Sequence, residues 1–406
     1  MRAANDPRRS VVIVGGSVAA ATATDALRAA GHEGPITVLS EEEQPPYSRP
    51  PLSKAVLTGA QRPESVLLPA LDPDVTLRRG VPAVGLDLDR SRVLMADGDE
   101  VPFDAVLLAT GARARRLTSN PREKVLRTLH DAQRLRADLL DARSVLIVGG
   151  GFLGMEIASS ARSLGLAVTV IDQDPHLVRQ FGRDLAAQIC GTAEARGVSL
   201  VRASGGVELL GEAEITAVRT ADGTVHEADL VISAVGCRPN VEWLDGNGLD
   251  LRDGVLCDEQ LRVEGRPDVV ACGDVARFPN ALFDVLGDNV PRRVEHWTMA
   301  TDTAKRAGAT LAASLDDAGH DAAPFAPIPS FWSDQYGVRI QSFGSIGLGD
   351  DVRVLEGELT GEAAVGYHRD GRLVGVVLFG LGGRHLHYRE QVAALAAPAG
   401  DLEPAG

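Results

Sequence analysis

The stretch VLIVGGGFLG, residues 145–154, decides the fold. A short apolar run, Val145–Val148, leads without a break into Gly149-Gly150-Gly151-Phe152-Leu153-Gly154, an intact G-x-G-x-x-G. A strand that turns at once into a helix is the entry of a dinucleotide-binding unit. The first glycine permits the tight turn, small residues after it let backbone approach a pyrophosphate, and the helix N-terminus stabilises that charge. The pattern predicts a helix from about Leu153 to Leu164, stopped by Gly165, then a strand at Val168–Ile171 that ends in Asp172. A carboxylate there, followed by Gln173 and Asp174, suits a free ribose 2′-hydroxyl. A 2′-phosphate would call for a nearby arginine, and the nearest, Arg179, stands seven residues on. The dinucleotide expected on Gly149, Gly151, Gly154 and Asp172 is NADH.

The same pattern occurs earlier. VVIV (11–14) leads into GGSVAA (15–20), an Ala-rich helical stretch runs to about Ala30, Gly31 stops it, and ITVL (36–39) is followed by Glu41. This copy is degenerate, with Ser17 and Ala20 where glycines are usual. Glu41 is placed to accept hydrogen bonds from a ribose. Two copies imply two sites and two different dinucleotides. DAVLLATG (104–111) reads as a buried strand ending in Ala109-Thr110-Gly111. DLVISAVGCRPN (229–240) repeats the idea, with Gly236 after the strand, and VVACGD (269–274) is a third such strand. It leaves Asp274 at a strand's C-terminal edge, where ligands bind in open α/β sheets, although an aspartate there also suits a helix N-cap. Glu295-His296-Trp297 opens a helical stretch to about Leu315, whose positive end could face a reduced flavin. A proline-bearing linker follows (316–328), then strands and turns that read as a small α+β domain from about Phe325.

Between the first unit and the second lies YSRPPLSK (47–54). Pro50-Pro51 fixes two φ angles and removes two donors, so this is a stiff entry to a helix that holds Arg49 and Lys54 at set positions. The formal net charge of −15 argues against nucleic-acid binding. No apolar run is long enough to span a bilayer, and the N-terminus lacks a signal-peptide core, so a cytoplasmic protein is expected. Cys190, Cys237, Cys257 and Cys272 form no C-x-x-C and read as small buried residues, with no metal site signalled.

RPPLSK (Arg49–Lys54), GGGFLGMEIA (Gly149–Ala158), VVACGDVARF (Val269–Phe278), VEHW (Val294–Trp297) and FWSDQY (Phe331–Tyr336) together resemble a known family. In order and spacing they are similar to the ferredoxin and rubredoxin reductases that feed electrons to cytochromes P450 and Rieske oxygenases. These belong to the two-dinucleotide-domain flavoproteins, and the resemblance runs from Val11 to about Gly383. It implies an α/β protein with two Rossmann-like dinucleotide-binding domains and a small α+β C-terminal domain. The FAD domain would span residues 1–112 and 241–324, the NAD domain 113–240 and the C-terminal interface domain 325–406. FAD would lie on Gly15, Ser17 and Ala20, with Glu41 at its adenosine ribose, Arg49 by its adenine or pyrophosphate, and Ala109, Thr110 and Gly111 beside it. Asp274 would hold its ribityl chain, Trp297 would lie by the ring, and Glu295 and His296 would also bind FAD. NADH would lie on Gly149, Gly151, Gly154, Glu156, Asp172 and Gly236. Lys54, paired with Glu156, would stand beside the reacting flavin atom. Ser48 departs from the family pattern, where Asp is common.

The acceptor follows from what is missing. Related disulphide reductases carry a cysteine pair where this chain has Pro50–Lys54, so electrons would leave singly for an iron–sulfur ferredoxin. Trp332 is a candidate for the exit edge, or for core packing. An acidic partner requires local basic residues on an acidic chain, and Arg292, Arg293, Lys305, Arg306 and Arg384 are the candidates. An NADH oxidase and a redox-dependent binding protein like apoptosis-inducing factor are the alternatives.

Overall fold

The computed structural model describes residues 9–287, 289–316, 323 and 325–396. Four strands of near-continuous Val, Ile, Leu and Ala are buried along their whole length: Val11–Val14, Ala105–Leu108, Leu230–Ser233 and Val269–Ala271. Such runs are sheltered on both faces, which is the environment of a parallel sheet under helices. The first sheet orders Val269–Ala271, Ala105–Leu108, Val11–Val14, Ile36–Ser40 and Thr76–Arg79, all parallel. The second orders Lys124–Val125, Leu230–Ser233, Ser144–Val148, Ala167–Asp172 and Val198–Arg202, also all parallel.

The duplication goes beyond the two glycine turns. Each unit inserts a three-stranded antiparallel meander before its returning parallel strand. The first meander is Ala83–Asp87, Arg92–Met95 and Glu100–Pro102; the second is Val207–Leu210, Ala217–Thr220 and Val225–Glu227. The chains leaving the two returning strands then pair with each other, Ala112–Ala114 against Cys237–Pro239, and so bind the units together.

The helix Val18–Ala29 packs against the helix Trp297–Leu315, and small residues let them approach closely. A Cβ on Gly308 would lie 2.8 Å from the Ala26 Cβ and 2.9 Å from the Ala23 carbonyl oxygen. This is why both sequences are rich in alanine: close backbone approach leaves no room for longer side chains. The C-terminal part is a five-stranded antiparallel sheet, ordered Ser330–Gln335, Val338–Gly344, Arg372–Phe379, Ala363–Arg369 and Asp351–Gly357. The helix His385–Ala393 follows it, and its Tyr388 and Val392 are buried in one core with Phe343, Val376 and Leu378. Part of the expected linker, 317–322 and 324, lies outside the described residues. No helix among the described residues is long and apolar enough to cross a membrane.

Candidate functional site

A cleft of about 1420 Å³ takes its wall from both glycine turns, from the 49–54 stretch and from the strand Ser330–Gln335. The two turns are built alike. Gly15 (φ +126°) and Gly149 (φ +108°) both occupy positive-φ backbone, and a Cβ would overlap the Ala109 carbonyl oxygen at one and the Ala234 carbonyl oxygen at the other. Their amides donate to Leu39 O (2.8 Å) and Ile171 O (2.7 Å). The helices that follow, Val18–Ala29 and Phe152–Ser163, have no side-chain N-cap and no acidic residue in the first turn. Their N-terminal amides therefore remain available to a bound anion. This donor set fits a pyrophosphate at each turn. Gly16, Ser17, Glu41, Ala109, Thr110, Gly111 and Asp274 line the cleft on one side, and Gly149, Gly151, Asp172 and Gly236 line it on the other. Gly154 and Ala20 sit behind their turns, where helix meets strand. Asp172 Oδ2 accepts from the Gly150 amide at 2.6 Å, which fixes the carboxylate at the strand end. Arg179 also reaches the cleft wall, because the chain reverses through left-handed Leu177 (φ +60°); its distance in sequence understated its proximity.

The diproline stretch is pinned as its stiffness suggested, but by a residue that the sequence did not single out. Glu42 pairs with Arg49 (2.6 Å) and accepts from the Tyr47 hydroxyl (2.5 Å). Tyr47 is buried, accepts from the Leu129 amide (3.0 Å) and lies under the Arg49 guanidinium. Burial pushes its phenol well above the usual range, so it stays neutral and can donate. Glu41 is exposed at the cleft rim. At the other end Lys54 Nζ meets Glu156 Oε2 at 2.7 Å. A glutamate in the first turns of a helix commonly faces water, yet Glu156 is 7% exposed. It is satisfied by three donors: Lys54, Ser53 Oγ (2.5 Å) and Ser333 Oγ (2.6 Å).

Around Asp274 the structure adds Arg127, which the sequence reading missed for want of any motif. Arg127 pairs with Asp274 at 2.6 Å and shares the cleft wall with it. Asp274 sits inside the 3₁₀ turn Gly273–Val275, whose cap position is Cys272, so it is not itself a cap. Cys237 is also unlike the small buried residue expected. It lines the cleft and donates to Glu295 at 2.7 Å. Burial, with the hydrogen bond and charge of Glu295, pushes its thiol up to about 12, so it remains protonated. Cys257 and Cys272 are buried as expected, while Cys190 is only half-buried. Among the described residues no cluster could hold a metal ion.

His296 and Trp297 open the helix Trp297–Leu315 and line the cleft. His296 Nδ1 and Trp297 Nε1 are buried with no protein partner, which leaves two polar atoms for a ligand. Burial lowers the His296 pKa to about 4. The folded chain thus resists protonation that the unfolded chain accepts at 6.5. Stability is full above pH 6.5 and is lost as pH falls toward 4. Thermal melts of the apoprotein should show this fall, and His296→Asn should flatten it. His32 and His176, lowered in the same direction by burial, add to the fall.

The expected docking cations divide. Arg293 is a correction: its side chain is 10% exposed and holds Asp253 (2.8 Å), Glu295 (2.7 Å) and the Asp274 carbonyl (2.8 Å), so it braces two residues of the cleft wall from behind. Arg306 is another, spent on Gln260, the Ala323 carbonyl and the face of Phe325. Arg292 is half-buried and its backbone pairs with Phe278. Lys305 and Arg384 are exposed, and Arg384 pairs with Glu356 at 3.0 Å. Trp332 lies on the cleft wall, 6.2 Å from Trp297 in edge-to-face contact, with Arg339 stacked on it at 5.6 Å.

Comparison with known proteins adds family evidence. A model described as pyridine nucleotide-disulphide oxidoreductase matches residues 9–304, and one described as reductase C-terminal matches residues 330–401. The ferredoxin–NAD(+) reductase component of the anthranilate 1,2-dioxygenase system of Burkholderia cepacia is 34% identical over 405 residues, covering 95% of each chain. The ferredoxin reductase for the CYP199A2 system of Rhodopseudomonas palustris superposes with a TM-score of 0.84 at 31% identity, over 93% of each chain. The covalent putidaredoxin reductase–putidaredoxin complex gives 0.85 at 28% identity, over 96% of this chain and 94% of that one.

Proposed function

This chain belongs to the pyridine nucleotide-disulphide oxidoreductase family, and from that premise we propose that it is an FAD-dependent NADH:ferredoxin reductase serving a cytochrome P450 or Rieske oxygenase. The observation that carries the reading is the Lys54–Glu156 pair, set in the cleft wall where a thiol reductase would carry two cysteines. FAD, when bound, supplies a carrier that accepts two electrons from NADH and releases them one at a time.

The chain's own residues do the rest. The turn at Gly15 and Ser17, with Ala20 packed behind it, and the open helix start receive one pyrophosphate, and Arg127 and Asp274 supply opposite charges further along the cleft. Gly149 and Gly151 receive NADH, Gly154 lets helix and turn meet behind them, and Asp172, held by the Gly150 amide, accepts from the ribose 2′-hydroxyl. Lys54 places a cation where negative charge gathers on reduction, in a site that is 82% shielded at its side chain, where such a charge is worth more than in water. Glu156 orients it. No cysteine lies between residues 41 and 58, so no local disulphide can compete for the electrons.

Electrons leave past Trp332. Arg339, stacked on that ring, accepts at its carbonyl from the Gly380 amide (3.0 Å), which joins it to the turn bearing Arg384. We expect Arg339→Glu/Arg384→Glu to raise the KM for an acidic ferredoxin about tenfold at low salt, with NADH–ferricyanide turnover unchanged. An unchanged ferredoxin KM contradicts this docking face. NADH-dependent cytochrome c reduction across a panel of ferredoxins and a rubredoxin tests the function and identifies the acceptor class.

A further inference from the structure

The contacts at Glu156 join three separate parts of the chain. Lys54 and Ser53 come from the diproline stretch, Glu156 from the helix Phe152–Ser163, and Ser333 from the first strand of the C-terminal sheet. The two carboxylate oxygens are divided among them. Oε2 takes Lys54 Nζ (2.7 Å) and Ser53 Oγ (2.5 Å), and Oε1 takes Ser333 Oγ (2.6 Å). Ser333 is itself oriented: Gln335 Nε2 donates to its oxygen at 2.9 Å, so the single hydroxyl proton is left for Glu156. Ser333 and Gln335, two apart on a strand, share a face, and both are buried (1% and 2% exposed), so water cannot replace either group without repacking.

We propose that Ser333 is a positioning residue for hydride transfer, through which the C-terminal sheet fixes the Glu156 carboxylate and thereby the place of the Lys54 ammonium. A carboxylate held at one oxygen only can rotate about its last bond and carry its partner with it. Held at both oxygens in a buried site, it presents one face to Lys54. The hydrogen bonds to the charged group are the strong kind, and leaving Oε1 without a donor is costly. Sequence periodicity could not show this, because a serine in FWSDQY reads as an ordinary strand residue.

This inference rests on the reading of Lys54 given above, and the two can fail separately. In the full-length holoenzyme, Ser333→Ala should slow anaerobic flavin reduction by NADH about fivefold to tenfold, the loss of one charge-assisted hydrogen bond. Lys54→Met should slow it more, and Ser333→Ala/Lys54→Met should be no slower than Lys54→Met alone, since the serine then has no ammonium to place. A second readout does not use the reaction. Of the chain's three lysines, Lys54, Lys124 and Lys305, acetic anhydride should label Lys54 several-fold faster in Ser333→Ala, with Lys124 and Lys305 unchanged. Wild-type labelling of Lys54 together with an equal slowing by Ser333→Ala in both backgrounds overturns the positioning role. Faster Lys54 labelling with wild-type reduction in Lys54→Met keeps the positioning contact and overturns the role of Lys54 in the reaction.

Discussion

Replacement of Lys54 by alanine should slow flavin reduction by NADH on the order of 100-fold, the scale seen when one preorganised donor is removed from a water-poor site. The expectation follows from where the lysine stands. Its ammonium contacts Glu156 Oε2 and reaches the Pro50 carbonyl at 3.2 Å, and its side chain is 18% exposed. The diproline fixes the backbone beneath it, so little reorganisation is needed when charge develops nearby. Alanine removes the cation and also leaves Glu156 as a buried carboxylate facing only Ser53 and Ser333. The loss should therefore fall on the rate of the step, with NADH affinity changed less, because the turn at Gly149, proposed to hold NADH, is built by other residues. Stopped-flow reduction under anaerobic conditions, over a range of NADH concentrations, separates the two. A limiting rate equal to wild type would refute the role of Lys54.

Gly154→Ala should have the second large effect. A Cβ at this position would overlap the Gly149 carbonyl oxygen, part of the turn itself. Backbone cannot move aside as a flexible side chain can, so the helix Phe152–Ser163 must shift from its strand. Overpacking of this kind costs about 1–3 kcal/mol, and it displaces the amides proposed to face the pyrophosphate. The KM for NADH should rise at least about tenfold, while FAD content, which on the proposed assignment depends on the other turn, should stay near wild type. The first turn supplies the internal control. Ala20 occupies the corresponding place there and is fully buried, so that turn already accommodates a methyl group. Ala20→Gly should leave FAD bound and cost only the helical penalty of glycine, about 1 kcal/mol. Thermal melts and flavin absorbance check both variants.

What the sequence made legible depends on how local its cause is. The glycine turns, their strands and the helix Trp297–Leu315 are set by neighbouring residues, and the helix has the bounds its pattern predicts. The two meanders were missed because strands of three to five residues with mixed burial carry too little periodicity to stand out. Three consecutive glutamates, Glu41 to Glu43, cannot be told apart by spacing, and the contact with Arg49 and Tyr47 falls to Glu42 only once the chain turns back. Arg127 lies in a connector with no motif. Arg293 was read as a surface cation because long charged side chains usually are, whereas here Asp253 and Glu295 draw it inward. Cys237 reached the cleft because the ladder Ala112–Ala114 against Cys237–Pro239 crosses between the units, a pairing that no local pattern announces.

The central claim is that electrons taken from NADH leave one at a time for an iron–sulfur protein and not for a thiol or for oxygen. The measurement that tests it most directly is anaerobic stopped-flow: the holoenzyme is reduced with one equivalent of NADH and then mixed with an oxidised ferredoxin. Rapid bleaching of two ferredoxins per NADH, with NADH consumption by oxygen alone far slower, is the predicted result. Reduced enzyme that holds its electrons in the presence of every ferredoxin tried, or that oxygen reoxidises faster than any of them, would contradict it.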